Sequence, residues 1–278
     1  MFLALAALTY EVSGILRAGR YEQLQTAGEP LAFRNKTGRG YRGVDIVLAV
    51  SGTGRERSLA AAKWAISEYK PDAVISMGFG GGTKPSLQPG HVVLATEMHR
   101  LDGAPFYWDK RQFGEPICPD RTLLARARNA VELAGVDFEL GRLVNLPVIA
   151  KTSGMKRWIG KSLLASAIDM ESYVVAEAAL EAGVPFVAVR AIVDTCDVDL
   201  PGLVGEVDQP PGRGMALAAL RYVLRNPMQT PALARLARHS AHARRSLTSF
   251  FSEYVAEQGY AARMASDITQ KAVSGRMA

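Results

Sequence analysis

Apolar residues in this chain come in short dense runs separated by longer mixed stretches. Residues 2 to 8 (FLALAAL), VDIVLAV ending at Val50, AVISMG from Ala73, RLVNLPVIA within Gly141 to Ala150 and FVAVRAIV from Phe186 are too short for ordinary helices and rich in aliphatic side chains. Such runs suit strands buried on both faces. Between them, helical spacing is predicted over Val12 to about Gly19, Glu56 to Tyr69 (stopped by Pro71), Arg121 to Ala134, Lys156 to Leu164 and Ser172 to Ala182. Residues 28 to 50 read as a hairpin-like pair. PGHVVLATEMHRLDG reads as a strand running into a loop with His99, Arg100 and Asp102. Residues 103 to 119, with Pro105, Trp108, Phe113, Pro116 and Pro119, read as an irregular loop. This alternation predicts a three-layer α/β domain around a mostly parallel mixed sheet.

The chain is organised around Ser166 to Asp197, SAIDMESYVVAEAALEAGVPFVAVRAIVDTCD. A short strand ends in Asp-Met-Glu, a helix follows and closes at Gly183 and Pro185, and a second strand ends in Arg-Ala-Ile-Val-Asp. A strand–helix–strand unit of this length predicts a crossover with the two strands parallel. Ligands in such sheets bind beyond the carboxyl ends of the strands. Glu171 and Asp194 would then stand on one rim.

The pair IDMES and VRAIVD resembles the nucleoside phosphorylase/nucleosidase family, which cleaves the N-glycosidic bond of nucleosides. The similarity is greatest to its methylthioadenosine/S-adenosylhomocysteine nucleosidase branch. DMES, the DTCDVDLP segment and the basic helical C-terminus look closer still to the hopanoid-associated group, which removes adenine from adenosylhopane. The resemblance covers residues 1 to about 200 as fold. It implies a nucleoside phosphorylase-like catalytic domain over residues 1–205 and a basic helical extension over 206–278, assembled as a homodimer.

The resemblance also implies roles. Breaking a ribose–purine bond passes through an oxocarbenium-like sugar while electrons gather on the base. Asp194 is expected to protonate or hydrogen-bond the purine, at N7, which requires a pKa raised by burial. Glu171, with Met170 against the sugar, is expected to hold the ribose hydroxyls and stabilise the cation. Glu11, in AALTYEV, matches the glutamate that activates water. Gly78, Phe79 and Gly80 fall where the family's glycine-rich turn lies along the ribose or phosphate. Val148 and Ile149 fall where the purine is contacted, although ordinary core residues would look the same. Each carboxylate also has a bland reading, Glu11 at a helix N-terminus and the other two as caps or loop groups; the combination favours function.

Two departures bear on the nucleophile. Phe79 replaces the family's small or hydroxyl residue and offers phosphate no side-chain hydrogen bond, and Glu11 would repel a phosphate dianion. Hydrolysis is therefore expected over phosphorolysis, with a phosphate-dependent purine nucleoside phosphorylase as the alternative. Arg100 is the nearby cation that would suit phosphate, unless a surface carboxylate pairs it. Ser51-Gly52-Thr53-Gly54 lacks the Walker Gly-Lys-Ser/Thr and reads as a strand-to-helix turn with amides near the site. Asp197 and Asp199 read as turn residues. A nucleoside-binding protein without turnover is the non-enzymatic alternative.

Composition adds bounds. The chain is 48% apolar and 22% charged, as soluble globular proteins are. Cys118 and Cys196 form no CxxC spacing and the four histidines no ligand set, so no metal or other cofactor is implied. Unpaired cysteines fit a reducing compartment, hence a cytoplasmic location. MFLALAALTYEV lacks a basic start and reads as a buried strand rather than a leader. Net charge is +6, and from Glu206 onward ten Lys/Arg face five Asp/Glu. In that tail, helices are predicted over Met215 to Arg225 and Pro231 to about Ala256, with a frayed end over 259 to 278. Two fates compete for the second helix: packing on the body or a dimer partner with a solvated basic face, or peripheral attachment to anionic lipid on the inner face of the membrane. The expected partner is a small-molecule nucleoside, a lipid-linked one included. No nucleic-acid fold accompanies the arginines.

Overall fold

The computed structural model describes residues 1–19, 21–26, 30–35, 44–103, 113–201 and 230–274. The predicted helix over Met215 to Arg225 and the aromatic loop residue Trp108 lie outside them. Nine strands form one mixed sheet: β1 (Phe2–Ala6), β2 (Tyr21–Gln23), β3 (Leu31–Asn35), β4 (Ile46–Val50), β5 (Ala73–Gly82), β6 (Val92–Arg100), β7 (Phe138–Asn145), β8 (Ala167–Asp169) and β9 (Phe186–Asp194). Six helices accompany them in the described residues: α1 (Thr9–Gly19), α2 (Arg55–Tyr69), α3 (Arg121–Leu133), α4 (Ser153–Ser162), α5 (Ser172–Glu181) and α6 (Thr230–Ser274). The start of the chain is a central strand, with β1 between β4 and β5.

Side-chain alternation along the strands builds three layers. Ala4, Leu48, Ile75 and Val189 point to one face, which α1, α3 and α6 cover through Ile15, Ala127 and Phe250 among others. Leu3, Val47, Val74 and Ala188 point to the other, beneath α2 and α5. A smaller cluster joins α4, through Ile159 and the capping Leu163, to Val144 and Ile168.

The sheet does not stay open. Strands β2-β3-β4-β1-β5 form an ordinary layer; from β5 onward, β8, β7, β6 and β9 return to β5 and close a five-stranded ring. Five of the nine pairings are parallel and four antiparallel.

This closure corrects three sequence expectations. The strands either side of α5 are not a parallel crossover pair: β8 runs antiparallel to β5, β9 runs parallel to it, and they do not bond each other. A three-residue β8 borrows the far end of β5 rather than a place beside β9. The glycines from Gly78 to Gly82 are not a turn but the last half of β5, with a register shift between Gly80 and Gly81. Their missing side chains let neighbours close in: a Cβ on Gly80 would stand 3.1 Å from the Ile168 carbonyl and one on Gly81 3.3 Å from Asp194 Oδ2. Finally, β7 ends at Asn145 instead of reaching Ala150, because Pro147 has no amide to donate to a ladder.

Helix α6 runs on to Ser274, well past the predicted end at Ala256. Ala243, Leu247, Phe250, Phe251, Tyr254 and Val255 bury its apolar stripe in the core, so the structure shows the body-packed arrangement for this stretch. Arg244 lies over the Tyr10 ring at 4.6 Å.

Candidate active site

Glu11, Glu171 and Asp194 converge on one cavity of about 260 Å³, just below the range of ordinary small-molecule sites, roughly 300 to 1,000 Å³. Each arrives at the end of a strand. Glu11 stands in the first turn of α1 after β1, Glu171 immediately before α5 after β8, and Asp194 closes β9.

Glu11 is held by amides. Its Oε1 accepts from Phe79 N at 2.7 Å and its Oε2 from Leu8 N at 2.9 Å. Burial pushes its pKa up, and those hydrogen bonds and the Arg190 charge oppose the rise. Gly78 does not line the cavity; it makes room behind Glu11, where a Cβ would come within 2.9 Å of Oε1. Phe79 and Gly80 do line it, and Phe79 meets Tyr10 edge to face at 6.2 Å.

Glu171 accepts from Gly54 N at 2.9 Å and from Met170 N at 3.3 Å. The amide at the Ser51–Gly54 turn is thus given to a carboxylate of the protein. Burial and the neighbouring Asp169 push the Glu171 pKa up to about 7, against the pull of Arg190. Asp169 is the hub beneath it: it accepts from Arg190 Nε at 2.6 Å, from Ser172 N at 2.9 Å and Ser172 Oγ at 2.8 Å, and from Asn145 Nδ2 at 3.2 Å. Arg190 also donates to Ser76 Oγ at 2.9 Å.

Asp194 faces a different cation. Lys156, fully buried on α4, donates to its Oδ2 at 2.5 Å. Burial raises the Asp194 pKa, and Lys156 acts against the rise.

The opposite walls are apolar. Met170, Val148 and Ile149 line the cavity, the last two from the irregular stretch after β7. Leu236 and Ser240 of α6 complete the wall beside Val193 and Leu200. Arg100 is not there. It ends β6, donates to Asp102 Oδ2 at 3.0 Å and lies 3.8 Å from Glu177. Asp197 accepts from Thr195 Oγ1 at 2.5 Å and Asp199 from Ser153 N at 2.6 Å, so both order the loop after β9.

Sequence reasoning missed Asp169, Arg190, Lys156 and the α6 residues. Asp169 and Arg190 had a signal, since each is a charge inside a strand that otherwise reads as buried. Lys156 and Leu236 had none: each comes from a helix distant in sequence, Leu236 to line the cavity and Lys156 to bond Asp194 from behind it.

The family model described as the phosphorylase superfamily matches residues 3–210. The chain belongs to this superfamily. Among solved structures, this superfamily member is similar to the 5′-methylthioadenosine/S-adenosylhomocysteine nucleosidase of Neisseria meningitidis in complex with methylthio-immucillin-A, at TM-score 0.69 and 22% identity over 92% of this chain and 98% of that one. It is similar to the futalosine hydrolase of Helicobacter pylori at TM-score 0.70 and 17% identity, covering 92% and 97%. A putative 5′-methylthioadenosine/S-adenosylhomocysteine nucleosidase of Francisella philomiragia matches at TM-score 0.61 and 24% identity, covering 70% and 86%. At these identities the likeness is one of fold, and the superfamily fold here carries three carboxylates into one cavity.

Proposed function

We propose that this protein is a nucleosidase that hydrolyses the N-glycosidic bond of a 5′-substituted adenosine and releases adenine. The observation that carries the reading is the convergence of Glu11, Glu171 and Asp194 on one cavity from three strand ends. The bond from C1′ to N9 breaks with its electron pair going to the base. Asp194 supplies the proton that the purine takes at N7, a role that burial of its carboxyl suits. Water attacks C1′ and gives its proton to Glu11, while Glu171 holds the ribose hydroxyls. Adenine and the free sugar leave, Asp194 regains a proton and Glu11 loses one to solvent. Two of the structural neighbours are themselves named as nucleosidases acting on methylthioadenosine and S-adenosylhomocysteine.

Hydrolysis is favoured over phosphorolysis by charge. Among the described residues, the cavity lining includes Glu11, Asp169, Glu171 and Asp194 and no Lys or Arg. The two buried cations behind it, Arg190 and Lys156, are already paired with Asp169 and Asp194. A phosphate dianion would meet the like charge of the Glu11 carboxylate.

For the 5′ group, the apolar wall of Val193, Leu200 and Leu236 supports a hydrophobic substituent. Adenosylhopane is our preferred substrate within that class, resting on the DMES and DTCDVDLP resemblance, with methylthioadenosine and S-adenosylhomocysteine as the soluble alternatives. Because the described apolar stripe of α6 is engaged in the core, this part of the helix would meet an anionic membrane through charge, by exposed Arg235, Arg238 and Arg245. Among the described residues no helix is long and apolar enough to cross a membrane.

The test is adenine release from adenosylhopane in detergent, methylthioadenosine and S-adenosylhomocysteine, each with and without phosphate, for the wild type and Asp194→Asn. We expect phosphate-independent release that Asp194→Asn loses. A ribose 1-phosphate product would replace this reading with phosphorolysis, and tight nucleoside binding without release would leave a binding protein.

A further inference from the structure

Lys156 is the least expected charge in the molecule. It stands in the first turn of α4, where the helix dipole disfavours a cation, and it is sealed from solvent. A buried ammonium is costly unless each of its three protons has an acceptor. Here they do: Asp194 Oδ2 at 2.5 Å, the Thr195 carbonyl at 2.9 Å and the Val198 carbonyl at 2.7 Å. The same loop is tied to the start of α4 by Leu200 N donating to the Lys151 carbonyl at 2.8 Å, and Leu200 lines the cavity.

We propose that Lys156 is the positioning residue of the general acid, pinning Oδ2 of Asp194 so that Oδ1 alone delivers the proton to the departing base. This rests on the assignment of Asp194 as that acid. With Oδ2 committed to the ammonium, the carboxyl cannot rotate its proton away from the cavity. The interaction also strengthens during the step. Before it, Lys156 faces a neutral carboxyl; as the proton leaves for the purine, it faces a full carboxylate at hydrogen-bond distance. An attraction that grows toward the transition state raises kcat rather than substrate affinity. Burial keeps the proton in place before the reaction, and Lys156 stabilises the anion formed by it.

The groups facing this pair are few. From α6, His239 bonds the Val193 backbone and senses Asp194, and its own pKa is held down by burial and by Arg235 and Arg238. From the loop and α4, Asp197, Asp199 and Arg157 surround the outer side of Lys156. Lys156 alone among them donates to the Asp194 carboxyl.

The test is the pH profile of kcat with the fastest of the three nucleosides. Without the cation, the Asp194 pKa rises, so the alkaline limb of kcat should move to higher pH in Lys156→Met. Its plateau should fall about 10- to 100-fold, less than the roughly 10²- to 10⁴-fold of losing a general acid outright, with little change in KM. Lys156→Arg keeps the charge and should keep the limb at the wild-type pH. A folded Lys156→Met with an unmoved limb overturns the proposal. Asp194→Asn separates the two levels: if it keeps turnover, the acid assignment itself fails; if it loses turnover while Lys156→Met leaves the limb in place, only the role of Lys156 fails. Should neither lysine variant fold, the wild type carries the test through its Lys156 15Nζ resonance. That resonance must titrate with the midpoint of the alkaline limb, and a flat one sinks the coupling.

Discussion

Arg190 Nε donates to Asp169 Oδ2 at 2.6 Å at the floor of the cavity, with both side chains sealed from solvent. The pair joins β9 to β8, two strands that share no ladder, and so fixes where Glu171 stands two residues beyond Asp169. A buried pair broken on one side leaves the other charge without compensation, a loss of about 3 to 5 kcal/mol. Arg190→Met should therefore lower unfolding stability by that amount in urea titration. It should also raise the pKa values of Glu11 and Glu171, both of which Arg190 holds down. Unchanged stability would mean that the ring closes without this clamp.

Glu171 gives a pH dependence of defined sign. Its folded pKa of about 7 lies above the ordinary glutamate value of 4.5, so between those values the folded state holds a proton that the unfolded chain has released. Stability then falls as pH rises through this window, and the loss is complete above about pH 7. The full shift corresponds to roughly 3 kcal/mol at most. Glu171→Gln removes the titration, so its stability relative to wild type should improve from pH 4.5 to pH 8. Parallel unfolding curves for the two proteins across that range would rule the shift out.

The layer plan was legible because it depends on local pattern: the burial of VDIVLAV, the helix stopped before Pro71, the Gly183-Pro185 stop. The ring was not. It is made by what the glycines of β5 allow to approach, the Ile168 carbonyl and Asp194 among them, and a glycine run alone reads equally well as a turn. The three carboxylates were legible only as a combination, since each taken singly suits a helix start or loop. The cations behind them come from tertiary packing: Lys156 meets Asp194 across 38 residues, and no spacing rule spans that distance.

Gly78 tests the link between fold and site. It lies within β5, paired with Arg190, and a Cβ there would stand 2.9 Å from Glu11 Oε1. That oxygen is the end of a side chain, so the fold can accommodate a methyl group by displacing Glu11. Gly78→Ala should thus melt close to wild type, yet lose about 100-fold in kcat, the scale expected for a catalytic group misplaced by about 1 Å. Full activity in a well-folded Gly78→Ala would show that Glu11 is not needed where it stands.

Helix α6 tests whether the extension can be separated from the body. Leu247, Phe250, Phe251, Tyr254 and Val255 are each almost fully buried in the cluster that also holds α1, α3 and the sheet. At about 1.5 to 3 kcal/mol for each large apolar side chain, their removal costs roughly 10 kcal/mol, as much as the whole stability of an ordinary domain. A chain ending at residue 229 should therefore be insoluble or lack a cooperative melt, although residues 3–210 contain the whole superfamily match. It would also lack Leu236 and Ser240 from the cavity wall. Circular dichroism melting of the truncated chain decides the matter: a cooperative transition near the wild-type temperature would make α6 a dispensable cover, and its absence would make the helix part of the catalytic fold.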